Sequence, residues 1–143
     1  DHYQVASIIS LLERVLQALP DDSRFLGAMG LVLLTEDRKD EAFAWFKKAL
    51  DNRFDNEAVL FHLVQTALEL GRPEEAEPYV RHFAEFYPGN MNAGYQHAAV
   101  LFKLGRLDAA RDRLETMLLL SPDYAPAREL LDSIQGHSHE AGR

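Results

Sequence analysis

The sequence predicts an all-α fold of about eight helices paired as antiparallel hairpins. Apolar residues recur at three- and four-residue spacings almost throughout, and no segment shows the strict alternation of a half-buried strand. The predicted helices are joined by loops of two to five residues, which places consecutive helices antiparallel. The chain also contains an internal repeat. The segment ELGRPEEA at 69–76 resembles KLGRLDAA at 103–110 and, more weakly, TEDRKDEA at 35–42. The constant step of 34 residues indicates that one structural unit is written several times.

The first half of the chain predicts four helices. The opening helix carries a broad apolar stripe, which Pro20 and the two aspartates after it end. Asp22 or Ser23 can cap the second helix, because both side chains accept hydrogen bonds from the free N–H groups of a first turn. The predicted helices of this half cover residues 1–19, 23–36, 39–52 and 56–70.

The second half predicts four more helices. Gly71 and Gly105 suit the left-handed position that follows a helix, and Pro73 suits a first helical turn. Pro78 lies beyond the first turn and removes one backbone hydrogen bond, which predicts a local bend. The tail, residues 137–143, has no core-forming residues and is expected to be disordered. The predicted helices of this half cover residues 73–87, 91–104, 107–120 and 124–135.

Composition limits the function classes. A chain of 143 residues with 47% hydrophobic residues can bury a core of its own. A formal net charge of −8 argues against nucleic acid and favours a neutral to basic protein partner. No apolar run reaches the roughly 20 residues that a membrane crossing requires, so we expect no membrane insertion. Without cysteine the compartment stays open. We expect a soluble protein, cytoplasmic rather than periplasmic.

The copies share a pattern of small residues. Ala42, Ala76 and Ala110 open the second helix of each copy. Gly30, Val64 and Ala98 lie twelve residues earlier, on the first helix. A small residue on each of two crossing helices lets the backbones approach closely. Val64 departs from this pattern. A further small residue follows seven positions after the alanine in the first copy, as Ala49, and is replaced by Phe83 in the second, so Val64 and Phe83 are both expected to open their hairpin slightly.

With this spacing and these residues the chain resembles the tetratricopeptide repeat (TPR) family, whose unit is a helix-turn-helix of 34 residues. The resemblance implies a right-handed superhelix, an α-solenoid, forming one domain over residues 1–136. An irregular helical bundle or a related solenoid is the alternative. The resemblance places a half repeat at 1–20, full repeats at 23–56, 57–90 and 91–124, and a capping helix at 125–135.

In this family the first helices of the repeats line a concave groove, and we predict that a peptide or helical segment of a partner binds there. Its apolar side chains would meet Phe61, Tyr95 and Phe102, and Gln65 and Gln96 would meet its backbone. The alternative for the aromatic residues is packing between neighbouring hairpins. Gly27 lies on the same face. The predicted groove residues are Arg24, Leu31, Leu34, Phe61, His62, Gln65, Leu68, Tyr95, Gln96, Ala99 and Phe102.

One subclass of the family is set aside. TPR domains that clamp the acidic C-terminal tail of heat-shock chaperones use Lys and Asn along the groove. The corresponding positions here are Gly27, Leu31, His62, Asn92 and Gln96. A carboxylate clamp of that kind is therefore not expected.

No catalytic or metal-binding pattern is present in the sequence. The serines lack a glycine-framed turn, and there is no glycine-rich phosphate loop. His97 is expected to be a hydrogen-bonded core residue, beside a space that Gly94 leaves under-filled. His137 and His139 offer too few ligands for a metal site. We therefore expect no enzyme activity, no cofactor and no metal.

Three functions remain open. The first is a protein-interaction scaffold. The second is the regulatory or substrate-presenting portion of a larger bacterial enzyme or assembly factor, since the chain begins at Asp1 without methionine and is expected to be a fragment or a processed form. The third is self-association through the open N-terminal half repeat, with Ile9 and Leu16 on the unpartnered face.

Overall fold

All regular elements in the described part of the chain are α-helices. The computed structural model describes the backbone of residues 1–141 and the side chains of residues 1–136. The predicted helix order is confirmed for these residues, and most ends lie within one or two residues of the prediction. The helices are α1 (His2–Ala18), α2 (Ser23–Thr35), α3 (Lys39–Asn52), α4 (Glu57–Glu69), α5 (Pro73–Phe86), α6 (Met91–Lys103), α7 (Leu107–Leu120) and α8 (Ala125–Ala141).

Side-chain caps begin the first helices of the repeats. The Asp22 carboxylate accepts a hydrogen bond from the N–H of Arg24 over 3.0 Å, as the sequence predicted. Asn56 Oδ1 accepts from the N–H of Val59 over 3.2 Å, and Asn90 Oδ1 accepts from the N–H of Ala93 over 3.0 Å. The two asparagines lie one repeat apart, so the cap is part of the repeated unit.

The same helices end in one repeated turn. Asp37, Gly71 and Gly105 have positive φ angles of 56°, 70° and 76°. The N–H of the following arginine then reaches back to a helix carbonyl: Arg72 donates to Ala67 over 2.8 Å, and Arg106 to Leu101 over 2.9 Å. Arg38 makes the same bond. This pattern of a left-handed residue and a long backward bond closes each helix and turns the chain into the next one.

The chain divides into two compact units, and the helices of each unit pack on one another. The N-terminal unit is Asp1–Arg72 and the C-terminal unit is Pro73–Arg143. In the N-terminal unit α1 packs on α2, α2 on α3, and α3 on α4. In the C-terminal unit α5 packs on α6, α6 on α7, and α8 on both α6 and α7. The division falls inside the repeat predicted at 57–90.

Phe46 is central to the core of the N-terminal unit and has no exposed surface. A Cβ atom added at Gly30 would lie 2.5 Å from Phe46 Cε1, so the ring occupies the space that a side chain there would need. Ala42 is also fully buried. The position of Gly30 therefore requires a small residue, as predicted, and the ring of Phe46 fills the space beside it.

Leu114 and Ile134 have no exposed surface in the core of the C-terminal unit. Gly94 does not leave an under-filled helix, because Met117 Sδ lies 3.0 Å from the Cβ position at Gly94. The long, flexible side chain of Met117 thus occupies the space that Gly94 was expected to leave under-filled.

Helix α5 includes Pro78 and ends at Phe86, close to the predicted end. One further difference from the sequence prediction concerns α8. Helix α8 continues past Gln135 to Ala141, so residues 137–141 of the expected disordered tail are helical, and residues 142–143 lie outside the described part. No proline follows Gly136, and Glu140 and Ala141 favour helix. Among the described residues, none of the helices has both the length and the apolar character for crossing a membrane.

We expect Gly30→Ala to lower the free energy of unfolding by about 1 to 3 kcal/mol, because the added methyl group overlaps a ring that the core holds on all sides. Gly136→Ala is the matched control. It lies in α8 with nothing within 4 Å of the added Cβ, so the change should stabilise by up to about 1 kcal/mol. Urea unfolding followed by circular dichroism measures both. A Gly30→Ala protein as stable as the parent would contradict the packing.

Candidate peptide-binding surface

The predicted groove residues of the N-terminal unit lie on α2 and α4. Arg24, Gln65 and Leu31 are exposed, Leu31 by 40%, while Leu34 is half-buried. Phe61, His62 and Leu68 are also half-buried. The two helices approach each other at Gly27, where an added Cβ would lie 2.9 Å from Val59 Cγ2. Gly27 is therefore a buried contact between helices and not part of the exposed surface that was predicted.

The side chain of Gln65 belongs to a hydrogen-bonded network with Glu69 and Lys39, which the sequence analysis missed. Its Nε2 donates to Glu69 Oε1 over 3.2 Å, and Lys39 Nζ lies 3.3 Å from Glu69 Oε2. The hydrogen bond and charge of Glu69 raise the pKa of Lys39. The four-residue spacing of Gln65 and Glu69 was the available signal, since residues so spaced share a helix face. The amide of Gln65 is thus oriented before any ligand arrives.

The guanidinium group of Arg24 forms an ion pair with Asp22. Its Nε and Nη2 donate to the two carboxylate oxygens of Asp22 over 3.1 and 2.8 Å. These bonds raise the pKa of Arg24 and lower that of Asp22. The pair is exposed and compensates its own charge, so Arg24 adds little net attraction for an anionic ligand.

His62 contacts the core rather than a free surface. Its ring stacks on Phe46 with 5.8 Å between ring centroids and an angle of 19° between planes. Because Phe46 fills the space at Gly30, this stacking connects α4 to the crossing of α2 and α3. Packing is therefore the role that the contacts of His62 support.

The remaining predicted residues lie on α6 in the C-terminal unit. Tyr95 and Phe102 pack against the core cluster that α6, α7 and α8 share. Burial raises the pKa of Tyr124, and the nearby Tyr95 adds to that effect. Gln96 and Ala99 are half-buried. The packing interpretation of the aromatic residues is thus favoured for Tyr95 and Phe102, while Gln96 lies among them with part of its side chain exposed.

His97 is buried as expected, but it is not hydrogen-bonded as expected. Neither ring nitrogen has a hydrogen-bond partner among the described side chains, and Glu77 Oε2 lies 3.8 Å from Nε2. Burial lowers the pKa of His97 to about 4, and the charges of Arg113 and Arg81 add to that effect. His97 is therefore neutral at pH 7. The sequence analysis missed Glu77 as its neighbour, because the two residues lie on different helices.

No group of three or more potential metal ligands lies together among the residues with described side chains. His137 and His139 lie outside that part of the chain.

Two profiles described as tetratricopeptide repeats match the sequence, one over residues 9–57 and one over residues 67–134. Together they span most of the chain. The chain belongs to the tetratricopeptide repeat family. TPR arrays present extended binding surfaces and are typically interaction modules rather than enzymes.

Solved TPR structures share the fold at low sequence identity. YrrB, described as a TPR protein with an unusual peptide-binding site, aligns with a TM-score of 0.78 at 20% identity. The alignment covers 96% of this chain and 71% of the YrrB chain. MamA from Desulfovibrio magneticus RS-1 aligns with a TM-score of 0.73 at 16% identity, over 92% of this chain and 74% of the MamA chain. At these identities the likeness shows the fold alone.

A third structure contains a ligand. The first TPR of Spaghetti (RPAP3), bound to the HSP90 peptide SRMEEVD, aligns with a TM-score of 0.65 at 20% identity. The alignment covers 82% of this chain and 96% of the RPAP3 chain. No curated protein matches this TPR sequence.

We expect the TPR fold to lose stability as pH falls from about 6.5 towards 4. In that window the unfolded chain protonates His97 near its ordinary pKa, whereas the folded protein, with a pKa of about 4, does not. The unfolded state then binds more protons, so acid favours unfolding. The groups that face His97 are Glu77 and Arg81 of α5 and Arg113 of α7.

Urea unfolding at pH 7 and pH 5 tests this effect. His97→Gln should remove roughly 1 to 2 kcal/mol of the loss seen in the parent. The exposed Asn92 of α6, replaced by Gln, does not titrate; it is the control and should leave the loss unchanged. An equal loss in the parent and in His97→Gln would show that His97 is not its source.

Proposed function

We propose that this TPR protein is a non-enzymatic interaction scaffold, which holds a peptide or helical segment of a partner against the first helices of its repeats. The observation that carries the proposal is the surface of α2 and α4. There Leu31 is 40% exposed, and Leu34, Phe61 and Leu68 are half-buried beside the oriented amide of Gln65. Apolar side chains next to a fixed amide suit a segment that presents both side chains and backbone.

The net charge of the chain favours a neutral to basic segment. On the surface itself Asp22 compensates Arg24 and Lys39 compensates Glu69, whereas the whole chain carries a formal charge of −8. An acidic partner would be repelled by this net negative charge. The proposal therefore differs from the acidic peptide SRMEEVD of the RPAP3 structure.

Helix α6 carries predicted groove positions of its own within the C-terminal unit. Tyr95, Gln96, Ala99 and Phe102 lie on it at predicted groove positions. Because Tyr95 and Phe102 also pack against the core, Gln96 is the residue of this set that we assign to the ligand. YrrB, which carries a peptide-binding site on the same fold, supports peptide binding as the class of function.

A second candidate function is self-association through α1. Tyr3, Ile8 and Leu11 expose 85%, 45% and 53% of their surfaces on this helix. Of the residues predicted to serve this role, Leu16 is instead buried and Ile9 is half-buried. Exposed apolar side chains on one helix can bury each other in a dimer, with the same helix on both copies.

The scaffold proposal is tested with peptides selected on the purified protein from a random display library. We expect Leu31→Glu combined with Gln65→Arg to weaken a selected peptide at least about tenfold, because a buried apolar contact and an oriented amide are both lost. Fluorescence anisotropy measures the affinity, and circular dichroism confirms that the variant is helical.

Ala44→Glu is the control, because Ala44 is exposed on α3, away from the predicted surface. It should leave the affinity unchanged. Selected peptides that bind the double variant as tightly as the parent would place the binding site elsewhere on the protein.

Self-association is tested by light scattering over a hundredfold range of protein concentration. We expect Leu11→Lys with Tyr3→Ser to keep the protein monomeric where the parent gains mass, because the variant exposes less apolar surface on α1. A parent mass equal to one chain at every concentration would exclude this candidate.

A further inference from the structure

An open cleft of about 450 Å³ lies over α5, α6 and α7 in the C-terminal unit. None of its lining residues belongs to the proposed groove. We call it the arginine cleft, because three arginines line it. Its defining residues are Glu77, Arg81, Leu101, Arg106, Ala109 and Arg113. On α6, the cleft residues His97 and Leu101 lie on the side opposite Tyr95 and Gln96, as helical spacing requires.

Glu77 organises two of the arginines. Its side chain is 7% exposed, and Oε1 lies 3.4 Å from Arg81 Nη1 and 3.7 Å from Arg106 Nη1. The two arginine side chains are 51% and 57% exposed. A single buried carboxylate oxygen therefore places two guanidinium groups next to each other while leaving much of each facing solvent. Prior placement of this kind lowers the ordering cost of binding.

The base of the cleft contains polar atoms without hydrogen bonds. Glu77 Oε2 and both ring nitrogens of His97 have no hydrogen-bond partner among the described side chains. Both residues are only 5% exposed. A buried polar atom without a partner costs free energy. Glu77 Oε2 and one His97 nitrogen only accept hydrogen bonds, whereas the other nitrogen of neutral His97 carries an N–H. That N–H is the buried group that an acceptor on a ligand, such as a carboxylate oxygen, can satisfy.

The charges define the class of ligand. Three arginines and the two carboxylates of Glu77 and Asp112 leave one net positive charge in the cleft, with His97 neutral. One positive charge is balanced by a monoanion such as a carboxylate, whereas a doubly charged phosphate would leave a net negative charge in the cleft. Arginine forks match carboxylate geometry well. Leu101 and Ala109 add an apolar wall that suits the methylene groups of a glutamate side chain.

We propose that the arginine cleft is a second binding site, which takes the glutamate side chain of a partner peptide. The rest of that peptide is neutral or basic, because the chain as a whole carries a formal charge of −8 and repels acidic segments. The cleft does not depend on the surface of α2 and α4, so each can fail without the other.

Two short peptides test the proposal on the full chain. The first is acetyl-Ala-Lys-Glu-Lys-Ala-amide, and the second has Gln in place of Glu. The first should cause saturable shifts of the backbone amide signals of α5, α6 and α7 in nuclear magnetic resonance spectra, and the second should not. Raising the salt concentration should weaken the effect, because exposed charges are screened.

Arg113→Gln should weaken the glutamate peptide about tenfold, since a charged hydrogen-bonding partner is lost. Arg111→Gln is the matched control. Arg111 lies on the same helix but pairs with Asp108 at 3.3 Å outside the cleft, so affinity should be unchanged. Arg113→Lys keeps the charge without the fork and should give an intermediate loss if Arg113→Gln does not fold.

Three results would overturn the proposal: equal shifts from both peptides, equal losses from Arg113→Gln and Arg111→Gln, or inorganic phosphate displacing the glutamate peptide at equal concentration. Leu31→Glu with Gln65→Arg should leave these shifts unchanged, which separates this site from the proposed scaffold surface.

Discussion

The ring of Phe46 occupies the volume that any side chain at residue 30 would need, and the N-terminal unit depends on this contact. With glycine at this position α2 and α3 approach closely, and the ring then forms a flat face on which His62 of α4 stacks. The position of α4, and with it the proposed binding surface, therefore follows from one small residue and one large residue that meet at a helix crossing. In the C-terminal unit Gly94 and Met117 make a comparable pair, with a flexible side chain in place of a rigid ring.

The turns between helices explain why the sequence repeats so clearly. Asp37, Gly71 and Gly105 take positive φ angles, and each following arginine donates its backbone N–H to the helix before it. The arginine side chains have different roles, since Arg72 pairs with Asp40 at 3.0 Å and Arg106 lies near Glu77. The repeated backbone position thus serves the fold, while the side chain at that position is free to serve local electrostatics. One of these turn arginines, Arg106, lines the arginine cleft.

Polar groups in the two units contrast in how they are satisfied. On the surface of α2 and α4, Gln65, Glu69 and Lys39 form a connected polar chain. At the base of the arginine cleft, Glu77 and His97 are buried with atoms that lack hydrogen bonds. In the first arrangement each polar group has a partner, whereas in the second the buried N–H of His97 has none until a ligand supplies an acceptor. A TPR protein with both features presents two chemically different surfaces, one suited to apolar and amide groups and one to a carboxylate.

The helices, the turns between them, the 34-residue period and the small residues at the crossings can all be predicted from the amino-acid sequence, because they depend on local backbone preference and on spacing along one chain. The burial of His97 is predictable in the same way. The packing of the folded chain is needed to show that Met117 fills the space at Gly94, that Gly27 is a buried contact, that His62 stacks on Phe46, and that Glu77 lies beside His97. Each of these joins residues on different helices, and the distance between such residues depends on how side chains of particular shape pack in three dimensions, which no pattern along one helix specifies.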